Sequence, residues 1–235
     1  MTLADLLGRA RCLLIDFDGP ICAVFASHPA TAVASHLHDV IRARLDGELP
    51  PAIAELSANP LQILGQVDAI GDDELTRAVA DACRDAEITA VATASPTPGA
   101  EELLRAAHDT GRRVAIVSNN ASAAIDTYLR SHNLIRHVDA VAARFDGMPL
   151  RLLKPHSFLI ERGLNAVHAQ PADAVFIGDS ITDIQAGQAA STPTIGYANK
   201  PGKHQRLTDA GADAVIDAMQ PLVQTLEPAT AGPAT

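Results

Sequence analysis

The chain predicts an α/β fold, a doubly wound parallel sheet carrying an all-helical insertion. Three observations predict it. Four short apolar runs each end on a polar or acidic residue, as buried strands do when their last side chain enters a site. Helical patterns separate the later runs, and strand alternating with helix at this spacing means parallel pairing with helices on both faces. Between the first and second runs lies a long stretch with helix signals and nothing strand-like.

The first run is Cys12-Leu13-Leu14-Ile15-Asp16. His28–Leu45, Pro51–Ser57, Pro60–Ile70 and Asp72–Ala86 then read as successive helices, the last with Asp72 and Asp73 favourably placed in its first turn. Pro96, Pro98 and Gly99 mark the return to the sheet. A helix over Gly99–Thr110 leads to the second run, Arg113–Ser118, and a helix over Ala121–Ser131 to a weaker strand at Val138–Ala143. A helix over His156–Ala166, the third run Asp173–Asp179, a helix over Ile181–Ala190, the fourth run Thr192–Tyr197 and a weaker strand at Ala214–Asp217 complete the pattern. The expected organisation is a sheet core from residues 1–19 and 97–226, a helical unit over 20–96, and a disordered Pro/Ala/Thr/Gly-rich tail over 227–235.

A length of 235 residues with 47% apolar content suffices for a sizeable core. The net charge of −10, with no basic run, argues against nucleic acid or an anionic membrane as partner. Small anionic ligands stay compatible, because a few positive groups or a metal act locally against the overall field. No stretch approaches the roughly 20 apolar residues of a membrane helix, and Asp5, Arg9 and Arg11 stand where a signal peptide would be apolar, so a cytoplasmic location is expected. Cys12, Cys22 and Cys83 have no CxxC spacing and read as reduced thiols.

The chemistry gathers at the strand ends, which is where ligands bind in such sheets. The first run ends Ile15-Asp16-Phe17-Asp18-Gly19, two carboxylates just before a residue that lets the chain turn. The third run ends Gly178-Asp179-Ser180-Ile181-Thr182-Asp183, which puts Asp179 at a tip and Asp183 on the first turn of the next helix. Helix capping accounts for one of these two acids, not both. Like charges so gathered raise each other's pKa and repel unless a cation sits among them, and oxygen donors favour a hard one, Mg²⁺ first. Ser118-Asn119-Asn120 offers a hydroxyl and successive N–H groups to an anion, and Lys154, before Pro155, offers a charge to offset the acids and hold phosphate.

Together these pieces resemble the haloacid dehalogenase superfamily of hydrolases, whose four motifs are matched in order by Asp16-Phe17-Asp18, Ser118, Lys154 and Gly178-Asp179 to Asp183. The resemblance implies a Rossmann-like core with the insertion as a helical cap of the phosphoglycolate phosphatase and β-phosphoglucomutase kind, a branch whose re-entry segment Pro98-Gly99-Ala100-Glu101-Glu102-Leu103-Leu104 also resembles. It implies that Asp16 attacks phosphorus to form an aspartyl-phosphate, while Asp18 protonates the leaving oxygen and then activates water. It further implies Mg²⁺ held by Asp16, the backbone carbonyl of Asp18 and Asp179, with Asp183 supporting, and phosphate held by Ser118, the Asn119 N–H and Lys154. The expected function is hydrolysis of a small phosphorylated metabolite, phosphoglycolate-like, a sugar phosphate or a nucleotide, by a monomer or homodimer. A phosphomutase of the same superfamily, or a phospho-ligand-binding protein without turnover, are the alternatives.

Pro20 departs from the Thr or Val that the family usually has there, which stiffens the exit into the insertion and removes one N–H. His36 and His38, two apart on a predicted helix, face different ways and do not read as a metal pair. Cys22 lacks an adjacent base and reads as a buried thiol, and Asn199-Lys200-Pro201-Gly202-Lys203-His204 reads as a solvated loop within reach of the site.

Overall fold

A computed structural model describes residues 2–56 and 59–226. In chain order the elements are α1 (Leu3–Arg9), β1 (Cys12–Ile15), β2 (Cys22–Ala23), α2 (Ala30–Arg44), α3 (Pro51–Ala54), α4 (Pro60–Asp68), α5 (Asp73–Val91), β3 (Ser95–Pro96), α6 (Ala100–Asp109), β4 (Arg113–Ala121), α7 (Ser122–Ser131), β5 (Ala140–Arg144), α8 (Phe158–Ala166), β6 (Ala174–Gly178), α9 (Ile181–Ala189), β7 (Thr194–Tyr197), α10 (Lys203–Asp209), β8 (Ala214–Ile216) and α11 (Gln220–Leu226). Six strands form one parallel sheet in the order β5-β4-β1-β6-β7-β8. The first run is therefore central, and its four residues are all buried.

Strand periodicity divides the core. Leu13 and Ile15 face one apolar cluster with residues of α1, α6, α7 and α11, whereas Cys12 and Leu14 face a second cluster under α8. The second cluster does not stop at the sheet. Met148, Leu150 and Leu153, in the connection after β5, join it to Ile63 and Leu64 of α4 and Leu37 of α2, so helical insertion and sheet share continuous apolar packing.

Among its described residues the insertion carries the four helices α2 to α5, and its caps are legible: Asn59 accepts from Leu61 and Gln62 N–H groups, and Asp72 from Glu74 and Leu75. The expectation of no strand within 20–96 needs one correction. β2 and β3 pair antiparallel where the chain leaves and rejoins the sheet, because two chains running side by side satisfy each other's backbone groups. Three helices were not anticipated: α1, capped by Thr2 and Asp5, α10, which includes Lys203 and His204, and α11. The expected tail 227–235 and the predicted helix end at Ser57 lie outside the described residues. Among the described residues no helix is long and apolar enough to cross a membrane.

Candidate active site

Register builds the site. Ile15 stands opposite Ile116 on one side and Ile177 on the other, so β1 and β6 end near the level at which β4 reaches Ser118. The next residues bring Asp16, Ser118 and Asp179 together at the carboxyl edge. Glycine makes the approach possible at two points. Gly19 has φ +110, and a Cβ there would stand 2.6 Å from the Asp179 carboxylate; a Cβ on Gly178 would run into the Asp183 side chain.

Carboxylate oxygens of Asp16, Asp179 and Asp183 lie within 4.8 Å of one another. Lys154 Nζ sits 2.8 Å from Asp16 Oδ1 and 2.6 Å from Asp183 Oδ1, all three side chains being buried. These are ion pairs without hydrogen-bond alignment: both oxygens remain buried and unmatched by a donor, while Nζ donates to the Val117 carbonyl at 3.2 Å. Burial pushes the Asp16 carboxyl above its usual range, Lys154 pulls against it, and Asp183 and Asp179 add to the rise. For Lys154 burial opposes the charge, but Asp16 and Asp183 outweigh it and hold the ammonium protonated. Three carboxylates so close together, two of them with buried oxygens that no donor matches, fit a divalent cation.

Asp183 has two tasks. Its Oδ2 accepts from the Ser180 N–H at 2.9 Å and hydroxyl at 2.6 Å, closing a capping box at the start of α9, while Oδ1 faces the cluster. The capping and the metal readings of this residue are thus compatible. Asp18 is separate from the cluster. Its Oδ1 accepts from the Val24 N–H at 2.9 Å, and dense surroundings push its carboxyl up to about 6 despite that bond, with Asp179 adding to the rise. The turn that follows makes no demand on Pro20 as donor, because Ile21 and Cys22 N–H groups both bond to the Phe17 carbonyl.

At the tip of β4 the ladder is irregular between Ser118 and Ala121, a device common beside sites. The Asn119 side chain clamps the Lys154 backbone, accepting from its N–H at 2.8 Å and donating to its carbonyl at 3.1 Å. Sequence reasoning gave Asn119 only its N–H. It missed Glu87 and Arg144 altogether, and took Asn199 and Lys203 only as part of a solvated loop within reach of the site. Glu87 and Arg144 form a buried pair at 2.5 Å against the Ser118–Ala121 turn, and Asn199 and Lys203 both donate to Asp179 Oδ2, the former at 3.0 Å. An acid within an amphipathic helix carries no signal of its own, but Lys203 stands in a segment already singled out. His38, buried against the Ile53 carbonyl, and exposed His36 do face apart, and Cys22 is a buried thiol held well above its ordinary pKa by burial.

Comparison with known proteins bears on this geometry. The family described as haloacid dehalogenase-like hydrolase matches residues 57–197, a span that includes Ser118, Lys154, Asp179 and Asp183 but begins after Asp16. A phosphoglycolate phosphatase of Nitrosospira multiformis is 30% identical over 186 residues, covering 77% of this chain and 80% of that protein. A plasmid-encoded phosphoglycolate phosphatase of Cupriavidus necator is 32% identical over 141 residues, and the match spans only 58% of each. Among solved structures, a predicted phosphatase from Clostridium acetobutylicum aligns with TM-score 0.69 at 18% identity, covering 91% of this chain and 96% of that one. CbbY from Rhodobacter sphaeroides, solved in complex with phosphate, aligns with TM-score 0.63 at 18% identity, covering 89% and 95%. These two likenesses concern the fold.

Proposed function

The chain belongs to the haloacid dehalogenase-like hydrolase family, and from that premise we propose that it is a Mg²⁺-dependent phosphatase acting on a small phosphomonoester through an aspartyl-phosphate on Asp16. The observation that carries the reading is the division between two aspartates two residues apart. Asp16 faces Lys154 and the acidic cluster, whereas Asp18 stands outside the cluster with a carboxyl raised to about 6, where it can both give and take a proton.

In the first step a carboxylate oxygen of Asp16 bonds to phosphorus as the bond to the leaving oxygen breaks, and Asp18 supplies the proton that the leaving alcohol needs. In the second, Asp18 takes a proton from water as it attacks phosphorus, releasing phosphate and restoring Asp16. Lys154 and the Ser118–Asn119 turn hold the phosphoryl oxygens. Asp16, Asp179 and the Asp18 carbonyl, with Asp183 in support, would hold Mg²⁺, which would supply charge to neutralise the transferring group. Asn119, by clamping the Lys154 backbone, keeps the two phosphate-binding loops in register.

A two-carbon acid phosphate of the phosphoglycolate kind heads the substrate class, since relatives similar to this chain bear that name. Residues 20–96 act in this reading as a cap over the strand ends and select the leaving group. The test is phosphate release from a panel of phosphomonoesters, with and without Mg²⁺ and with no bisphosphate activator. Release that requires the metal, disappears with EDTA and is greatest for a small acid phosphate is the expected result. Full turnover in chelator removes the metal assignment, and turnover only with a bisphosphate present makes the chain a mutase.

A further inference from the structure

We infer that Glu87, a carboxylate contributed by the helical insertion, is a positioning residue that sets the Ser118–Ala121 turn to receive phosphate; the inference rests on the function proposed above. Glu87 lies near the C-terminal end of α5 and is fully buried. A buried charge is costly unless its partners are arranged around it. Arg144, at the end of β5, supplies the opposite charge; burial works against that guanidinium, and Glu87 with Cys83 holds it protonated.

Charge balance alone does not explain the rest of the arrangement. Glu87 Oε2 also accepts the Ala121 N–H at 2.8 Å, and Oε1 accepts from the Asn120 side-chain amide at 3.2 Å. Arg144 Nε donates to the Asn119 carbonyl at 3.1 Å. Each of the three residues after Ser118 is therefore held by one member of the pair, where β4 departs from regular pairing with β5. The chain of bonds continues inward. Asn120 Oδ1 accepts from the Ser118 hydroxyl at 3.1 Å, which places that hydroxyl two hydrogen bonds from Glu87. Side chains thus do what ladder bonds do elsewhere, and the turn stands ordered before an anion arrives, so binding need not order it.

The test uses variants that separate charge from hydrogen bonding. Orthovanadate binding in the presence of Mg²⁺, and Mg²⁺ binding alone, are measured by calorimetry for wild type, E87M/R144M and E87Q/R144M, with melting curves to establish folding. E87M/R144M, an apolar replacement of the pair, is expected to keep its fold and its Mg²⁺ affinity while binding vanadate ~10-fold or more weakly, as loss of a supporting group does. E87Q/R144M, whose amide oxygen still accepts from Ala121, is expected to regain most of that loss. Folded E87M/R144M with wild-type vanadate affinity overturns the inference, as does a glutamine variant no better than the methionine one, or an equal fall in Mg²⁺ affinity. Should E87M/R144M not fold, N120A takes its place: selective loss of vanadate affinity supports the inference and unchanged affinity overturns it. A wild type that binds Mg²⁺ but no vanadate removes the phosphatase reading itself, and this inference with it.

Discussion

The strand tips and the helical insertion are made of opposite materials. At the tips, charged side chains lie close together, and a change of one atom changes the chemistry. In the insertion, alanines and a few branched residues such as Val33, Leu37, Ile41 and Ile63 are buried against one another, and what counts is volume. Substitutions should therefore act on rate with little cost in stability at the tips and, Glu87 apart, on stability or selectivity with little effect on the chemical step in the insertion.

The largest expected effect lies at the tips. Asp16→Asn should lower turnover by ~10⁴-fold or more, because a carboxamide is a poor nucleophile and no alternative route shares the site. The check is turnover with Mg²⁺ together with hydroxylamine-sensitive phosphate on the protein, which should be absent; a normal adduct breaks the assignment. Asp18→Asn comes next, with a loss of about 10² to 10⁴ for alkyl phosphates and less for aryl esters, whose leaving groups need little protonation. A related sign concerns pH. Asp18 acts first as an acid and its carboxyl is raised to about 6, so the competent protonated form declines as pH rises through that value. Single-turnover phosphorylation by an alkyl phosphate should fall on the alkaline side while that by an aryl ester stays flat, and parallel profiles would remove Asp18 as donor.

In the insertion the scale changes from rate to stability. Leu64→Ala empties a fully buried position between α4 and the connection after β5, and should cost about 2 to 5 kcal/mol in urea unfolding. Aryl-ester turnover per folded molecule should barely move; a loss like that of Asp18→Asn would erase the contrast. The smallest effect belongs to Arg84, which bridges α5 to Asp146 at 3.1 Å with partners largely in solvent. Arg84→Ala should change unfolding free energy by about 0 to 1 kcal/mol, less at high salt.

The same contrast explains what the sequence disclosed. Asp16, Asp18 and Asp179 were legible because each follows a buried strand, where an acid has no ordinary reason to be, and Asp183 because capping accounts for only one of the two acids at the start of α9. Lys154 and Ser118 were legible only by their order among those acids. Glu87 was not, since an acid on a long helix is usually solvated, and only the fold shows that its face turns inward to Ala121. The pairing of Cys22–Ala23 with Ser95–Pro96 is too short for any periodicity, and Pro201-Gly202 concealed α10 because the Gly202 φ of +79 starts a helix rather than ending one.

Asp183 closes a loop between durability and work. One of its oxygens fastens the first turn of α9 and the other faces Lys154, so fraying of that turn and loss of site geometry are a single event. Activity then serves as a local thermometer. On warming it should fade with the loosening of α9 while the six-stranded sheet is still intact, and a cation that holds the carboxylate should move both to higher temperature together.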